Sequence, residues 1–219
     1  MKLQNILLGR VIRMLNIVSP PMHMSDAIKP LVERYGFVKV PQSLEEYDAS
    51  KGITFSHGKF QYTMGENKRN IVIDSFQIYH NGVLVDTRGD TDDGDKFLDD
   101  VLEWGIKTYG STISEQGIEK IYLSNLEVSL NKTLATHTPS FQELSGEISR
   151  HWTEYGLKHE RFETTGLTLN FDRTTMPNSI LTNFTIQRRE GIPFSSGVYF
   201  SSAPLKTNDH IALLEKFDR

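Results

Sequence analysis

Two segments of the first half of the chain recur, in the same order, in the second half. The apolar alternation of residues 73–78 (IDSFQI) matches that of residues 181–186 (LTNFTI). A run that begins at Thr91 also matches, without a gap, a run that begins at Thr207: an acid and three apolar positions follow each threonine at the same spacing. A repeat constrains a fold strongly, because both copies must form the same supersecondary unit. The matching order therefore predicts two similar halves.

The clearest single element is a hairpin around the Asn-Gly dipeptide at positions 81–82. Asn-Gly favours a two-residue type I′ turn, because both residues tolerate a positive φ. We expect one strand over 71–80 and its return over 83–86. This register places His80 opposite Val83 and Ile78 opposite Val85, so that the apolar residues of both strands share one face.

Periodicity and capping residues predict the remaining elements. A helix begins at Thr91, the expected N-cap, and stops at Gly110. Ser140 and Glu143 have the spacing of a capping box after Pro139 and open another helix, which ends near Gly156. A short helix is expected over 25–35, and a last one begins after Thr207. Further strands are expected over 37–40, 53–61, 121–129, 158–163, 166–172, 180–188 and 197–202, with loops over 41–52 and 62–70.

If residues 8–18 form a strand, each half has the order strand, helix, four strands, helix. This β-α-β4-α order, taken twice, resembles the TATA-binding-protein-like fold, in which two such halves share a curved antiparallel sheet with helices on one face. The resemblance lies in element order alone and transfers no DNA-contacting residue. The alternative is two unrelated α+β segments that share a sheet. We therefore expect an α+β chain with an N-terminal strand or amphipathic segment (1–24) and two halves (25–110 and 111–219) packed as one globular unit.

Composition and charge exclude several classes of function. The 219 residues include no cysteine, which excludes thiol catalysis, Cys-ligated zinc and disulfides. Residues 1–110 carry 13 basic and 15 acidic groups and residues 111–219 carry 11 and 13, so that each half is at −2. Such a balance disfavours strong nonspecific binding of nucleic acid. Arg10 and Arg13 interrupt the apolar N-terminal run, so we expect no signal peptide, no membrane span and a cytoplasmic location.

Alternation also predicts a polar sheet face opposite the apolar one. Amide and hydroxyl groups on a rigid sheet can recognise peptide groups or base edges. The adjacent arginines 188 and 189 can hold a phosphate or carboxylate through forked hydrogen bonds, although such pairs are commonly solvated strand ends. The candidate binding residues are Gln77, Tyr79, Asn183, Gln187, Arg188 and Arg189.

The densest acidic run lies between Asp86 and Asp95. A short loop of carboxylates can bind a divalent cation, and the candidate ligands are Asp90, Asp92, Asp93 and Asp95. The run lacks the full spacing of an EF-hand loop. The alternative is a helix N-terminus whose acids stabilise the helix dipole.

Three classes of function remain open. The first is a binding or scaffold protein that recognises a macromolecular partner, most simply a protein, through the polar sheet face. The second is a saddle-like nucleic-acid-binding protein, and the third is a metal-dependent enzyme that uses the acidic loop 86–95. The sequence contains no nucleophile elbow, phosphate-binding loop or dinucleotide fingerprint. We therefore favour a binding protein that needs no cofactor.

Overall fold

A computed structural model describes residues 1–15, 17–18, 24–113, 119–158, 162–175 and 180–219. The helices are α1 (Met24–Tyr35), α2 (Thr91–Tyr109), α3 (Pro139–Glu154) and α4 (Thr207–Phe217). The strands are β1 (Lys2–Met14), β2 (Ile17–Val18), β3 (Ile53–Met64), β4 (Asn67–Tyr79), β5 (Gly82–Thr87), β6 (Thr112–Ile113), β7 (Glu119–Ser129), β8 (Gly166–Leu169), β9 (Phe184–Arg188) and β10 (Val198–Ala203). Short 3-10 turns occupy Leu44–Tyr47, Leu134–His137 and Phe194–Ser196.

Eight of the described strands form one antiparallel sheet in the order β3-β4-β5-β1-β7-β10-β9-β8, and β2 pairs with β6 separately. The predicted α+β class and antiparallel sheet are confirmed. Three described strands follow the first helix of each half, where four were expected. Residues 37–40 form only an isolated bridge between Lys39 and Ser56, because Pro41 cannot donate a ladder hydrogen bond. Part of the expected strand 158–163 lies outside the described residues.

The contacts divide the chain into two compact units. The larger unit contains Ile6–Asn125 and Pro204–His210, and the smaller unit contains Met1–Asn5, Leu126–Ala203 and Ile211–Arg219. No helix in the described part of the chain is long and apolar enough to cross a membrane. The cytoplasmic location stays a prediction.

Aromatic rings form the core of the larger unit. Phe97 of α2 meets Tyr35 of α1 edge-on, with 5.0 Å between ring centroids, and meets Phe76 of β4 edge-on at 5.2 Å. Such edge-to-face pairs add to the burial of apolar area. Val85 of β5 and Val11 of β1 are fully buried in the same cluster. Both helices therefore cover the same face of these strands.

The smaller unit has its own apolar core. Strand alternation buries Leu126 and Val128 of β7, Ile186 of β9 and Tyr199 of β10, while α4 contributes Leu214. All five side chains are at most 1% exposed. Leu214 therefore lies on the inward face of α4.

The hairpin between β4 and β5 has a different register from the predicted one. Tyr79 pairs with Gly82 and Ile78 pairs with Val83, so that His80 and Asn81 form the turn. Neither turn residue has a positive φ, and the predicted type I′ turn is wrong. Gly82 belongs to the strand, where it pairs with Tyr79 and Met14, and it must be glycine because a Cβ there would lie 2.6 Å from the Arg13 carbonyl oxygen of β1. The apolar residues still share one face.

Residues 62–70, predicted as a loop, form the tip of the long β3–β4 hairpin. Pairing continues out to Met64 opposite Asn67, and Gly65 supplies a positive φ of 62° in the turn. Tyr62 donates a hydrogen bond to Asp93 at the start of α2, 2.9 Å away, and Arg69 pairs with the same carboxylate. These contacts stabilise the strand conformation of a segment whose polar composition favours a loop.

Two predicted helix caps also differ from the structure. Asp90, rather than Thr91, caps α2, because its carboxylate accepts a hydrogen bond from the Asp93 backbone N–H at 2.8 Å. The capping box at Ser140 is absent, since α3 begins one residue earlier at Pro139. The predicted stop at Gly110 is confirmed by its left-handed conformation.

Thr91 and Thr207 instead cap each other's helices. The Thr91 hydroxyl accepts a hydrogen bond from the Thr207 backbone N–H at 3.0 Å, and the Thr207 hydroxyl accepts one from the Thr91 N–H at the same distance. Both residues are 1% exposed. The first N–H groups of a helix lack intrahelical partners, so this exchange satisfies one donor at each helix start.

We expect Thr91→Val to lower the free energy of unfolding by about 1–3 kcal/mol, because it leaves the buried Thr207 N–H without an acceptor. Thr91→Ser keeps the hydroxyl and should cost clearly less. Urea unfolding of both variants measures the difference. Equal stability of the two variants would contradict the assigned hydrogen bond.

Because His210 is buried, we expect the stability of the fold to depend on pH. Burial lowers the pKa of this histidine from its ordinary value of 6.5 to about 4. Between these two pKa values the histidine is protonated in the unfolded chain and neutral in the folded chain. The free energy of unfolding therefore falls as the pH falls from about 6.5 to about 4, by about 1.4 kcal/mol per pH unit. His210→Leu should lose this part of the slope in urea unfolding, whereas His151→Gln at an exposed histidine should retain it.

Candidate functional site

The face of the larger unit opposite α1 and α2 carries the candidate site. Phe76, Ile78, Val83 and Val85 point towards the helices, so their neighbours along the strands point the other way. We call the resulting set the open face: Thr54 and Ser56 of β3; Ser75, Gln77 and Tyr79 of β4; Leu84 and Asp86 of β5; and Leu8, Arg10, Ile12 and Met14 of β1.

Two predicted binding residues lie together on the open face. The Tyr79 hydroxyl donates a hydrogen bond to Gln77 Oε1 at 2.6 Å, and Gln77 Nε2 donates to Ser75 Oγ at 3.3 Å. The ring of Tyr79 lies against Gly52, where an added Cβ would come within 2.5 Å of it. This arrangement fixes the tyrosine and orients the amide along the strand.

Arg10 and Asp86 form a forked ion pair beside this chain of hydrogen bonds. Arg10 Nε lies 2.6 Å from Asp86 Oδ1 and Nη2 lies 2.8 Å from Oδ2. The two residues are direct cross-strand partners, and Asp86 is also the partner of Ser75. The hydrogen bond to Asp86 raises the pKa of Arg10. The positive charge on this part of the face is therefore matched by a carboxylate at contact distance.

The centre of the open face is apolar. Ile12 and Leu84 are cross-strand partners, and Gln77 flanks Leu84 on the other side. All three side chains are partly exposed. The neighbouring strand β7 continues this surface: Tyr122 points towards the helices, because its hydroxyl donates to Asp95 of α2, so alternation directs Ile121 and Leu123 to the open side.

Sequence reasoning missed this apolar centre and the ion pair. The six candidate binding residues include none from β1 or β5, the two strands that supply the apolar centre and the ion pair. One sequence signal could have identified this strand. Along residues 6–15, one face carries the hydrophobic residues at 6, 8, 12 and 14, and the other face carries the buried residues at 11 and 15. This alternation is typical of a strand with two partly apolar faces.

The predicted residues of the smaller unit separate onto two faces of β9. Arg189 points away from the core, donates to Glu127 Oε1 at 2.5 Å and lies 5.9 Å from the centroid of the Phe200 ring. Gln187, two residues earlier, pairs with Phe200 in the register. Asn183 follows the same alternation and accepts a hydrogen bond from Arg173 at 3.4 Å.

Arg188 does not join Arg189, because adjacent residues of a strand face opposite sides. Its side chain is 6% exposed and donates to the backbone carbonyl groups of Ile192 and Pro193. The guanidinium also stacks on Phe194, 4.1 Å from the ring centroid. Arg188 therefore stabilises the loop after β9. The two guanidinium groups lie on opposite faces and do not form the predicted joint site for a phosphate or carboxylate.

The predicted metal ligands at the start of α2 each bind other protein groups. Asp93 is 2% exposed and accepts hydrogen bonds from Tyr62 and Arg69. Burial raises the pKa of Asp93, against the effect of these hydrogen bonds. Asp90 accepts from Arg69 at 2.8 Å in addition to its capping role.

The other two acids point elsewhere. Asp95 accepts from Arg13 at 2.7 Å and from Tyr122 at 2.9 Å, and these bonds outweigh burial and lower its pKa. Asp92 lies 3.6 Å from Lys206 Nζ. In the part of the chain that the structure describes, no group of three or more His, Asp or Glu side chains could hold a metal ion. The geometry of these acids supports the helix-terminus interpretation.

We expect Arg10→Gln to lower the free energy of unfolding by about 1–3 kcal/mol, because it leaves the Asp86 carboxylate, whose side chain is 12% exposed, without its guanidinium. The double variant Arg10→Gln/Asp86→Asn removes both charges and should recover part of that loss. Urea unfolding at pH 7 measures both. A double variant less stable than the single one would contradict the assigned pairing.

Comparison with known proteins gives no match. No protein-family model fits the chain, no curated protein is similar to it, and no solved structure resembles it. Its function is therefore inferred from the geometry of its own residues.

Proposed function

We propose that the chain is a protein-binding module that uses the open face of the larger unit to hold a partner protein. The observation that carries this proposal is the apolar centre, Ile12 beside Leu84, bordered by the hydrogen-bonding side chains of Ser75, Gln77 and Tyr79. Protein interfaces have the same arrangement, in which an apolar core is surrounded by a polar rim. Apolar patches rimmed by polar groups on a monomer commonly mark such interfaces.

The electrostatics of the face favour a protein over a nucleic acid. A nucleic-acid surface gains affinity from cations that neutralise phosphates and release counterions. Arg10 is already neutralised by Asp86 through two hydrogen bonds, and a phosphate would have to compete with that carboxylate. A partner protein with an apolar contact surface needs no such exchange.

Tyr79 is the proposed polar anchor of the interface. Its ring is held against Gly52 and its hydroxyl is held by Gln77, so little rotational freedom is lost when a partner binds. Tyrosine supplies a large contact area at low entropic cost and is common among residues that dominate binding energy. The partner would contact the ring edge and the free lone pairs of the hydroxyl.

We also propose that the chain arose from two similar halves. Read from either edge of the sheet, the strands correspond in pairs: β3 with β8, β4 with β9, β5 with β10, and β1 with β7. A helix that begins at a threonine follows β5 in one half and β10 in the other. The reciprocal hydrogen bonds of Thr91 and Thr207 support this proposal, because the two residues occupy the same position in the two matching runs and make the same contact with each other.

The experiment compares three tagged forms of the full chain in extracts of the native host. Leu84→Thr removes one of the two paired apolar side chains at the centre of the open face but keeps a residue that favours strands. Leu44→Thr makes the same change at a side chain that is 90% exposed outside the open face. We expect a stoichiometric protein that is recovered with the wild type and with Leu44→Thr, and that is reduced at least about tenfold with Leu84→Thr, a loss of about 1.4 kcal/mol.

The other outcomes overturn the proposal. A partner recovered equally with all three forms would place the contact elsewhere. A nucleic-acid signal that nuclease and moderate salt remove would favour the saddle-like alternative. Self-association of the pure chain that Leu84→Thr abolishes would make the occupant a second copy. Circular dichroism of each variant confirms that the comparison is made between folded chains.

A further inference from the structure

A cavity of about 120 Å³ lies between the helices and the sheet of the larger unit, on the side away from the open face. It is bounded by α1, by the C-terminal half of α2 and by strands β4 and β5. Its walls are mostly apolar, with Ser111 at one point, and include Leu31, Ile78, Val83, Leu102, Trp104 and Tyr109. Cavities lined in this way do not favour water, because water needs several polar partners.

One polar atom in this wall is unsatisfied. Tyr109 packs edge-on against Trp104 with 5.5 Å between ring centroids, and its buried hydroxyl has no hydrogen-bond partner among the described residues. Buried hydroxyl groups nearly always have a partner, so an exception requires an explanation. Burial raises the pKa of Tyr109, so the phenol stays protonated and is available as a donor.

Gly105 keeps another part of the wall open. It lies inside α2, where glycine is less favourable than alanine because the unfolded chain loses more entropy. A Cβ built at this position meets no atom within 4 Å, so close packing does not require the glycine. The missing side chain leaves room next to the cavity.

We propose that this cavity binds a small neutral molecule, about the size of one aromatic ring, that carries one hydrogen-bond acceptor for the Tyr109 hydroxyl. The size follows from the volume, since an apolar cavity of about 150 Å³ accepts a benzene-sized ligand. Most of the ligand contacts apolar walls, and the single polar contact orients it. This matches the usual composition of small-molecule sites.

The test is a titration of the full chain with acetophenone and with ethylbenzene, which have similar shapes but differ in the carbonyl acceptor. Binding is followed by two-dimensional NMR of the amide groups. We expect saturable shifts at residues that line the cavity, with acetophenone bound about fivefold to tenfold more tightly. Tyr109→Phe should remove this preference and leave the affinity for ethylbenzene unchanged.

Gly105→Leu fills the space beside the cavity and should weaken both ligands, while Gly105→Ala shows whether the helix accepts a side chain at this position. Absence of saturable binding to the wild type would overturn the proposal. An unchanged preference for acetophenone in Tyr109→Phe would overturn the role of the hydroxyl. Leu84→Thr, the variant expected to lose the partner protein, changes the opposite face and should bind acetophenone as the wild type does. Failure of one proposal can therefore be distinguished from failure of the other.

Discussion

The close backbone approach of β1 to its neighbours determines how the larger unit is built. A Cβ at Gly9 would lie 2.4 Å from the Gly89 carbonyl oxygen, and one at Gly82 would lie 2.6 Å from that of Arg13. Both contacts are shorter than real side chains allow, so glycine is required at both positions. With the backbone fixed in this way, alternation sends Val11 into the core and Arg10 to the open face. The same strand thus supplies the core and the candidate interface.

The distribution of charge follows from the same alternation. Arg13, on the helix side of β1, is 6% exposed and binds Asp95 and Asp99 of α2. Asp93 is held by Arg69 from the hairpin tip. Buried charges must be paired, because an unpaired one is strongly destabilising. The acids at the start of α2 therefore connect that helix to the strands, which accounts for their density in this part of the sequence.

The sequence predicts the elements of this fold better than it predicts their contacts. Periodicity places α2 and its stop at Gly110 correctly, because both depend on residues close in the chain. The hairpin register and the hydrogen bonds of Thr91 depend on partners that are distant in sequence: Gly82 lies close against β1, and Thr91 exchanges hydrogen bonds with Thr207. Alternation in β4 predicts Gln77 and Tyr79 of the open face. The residues from β1 are not predicted, because only the strand order places β1 beside β5.

The open face and the cavity are two sides of the same strands. Gln77 and Leu84 point outwards, while their neighbours Ile78 and Val83 line the cavity. Because a shift of one residue in register would exchange the two sets, the glycine contacts that fix β1 and β5 specify both surfaces together. A partner on the open face and a ligand in the cavity can therefore influence each other only through movement of these strands. The close packing at Gly82 opposes that movement, so the structure favours two sites that act independently.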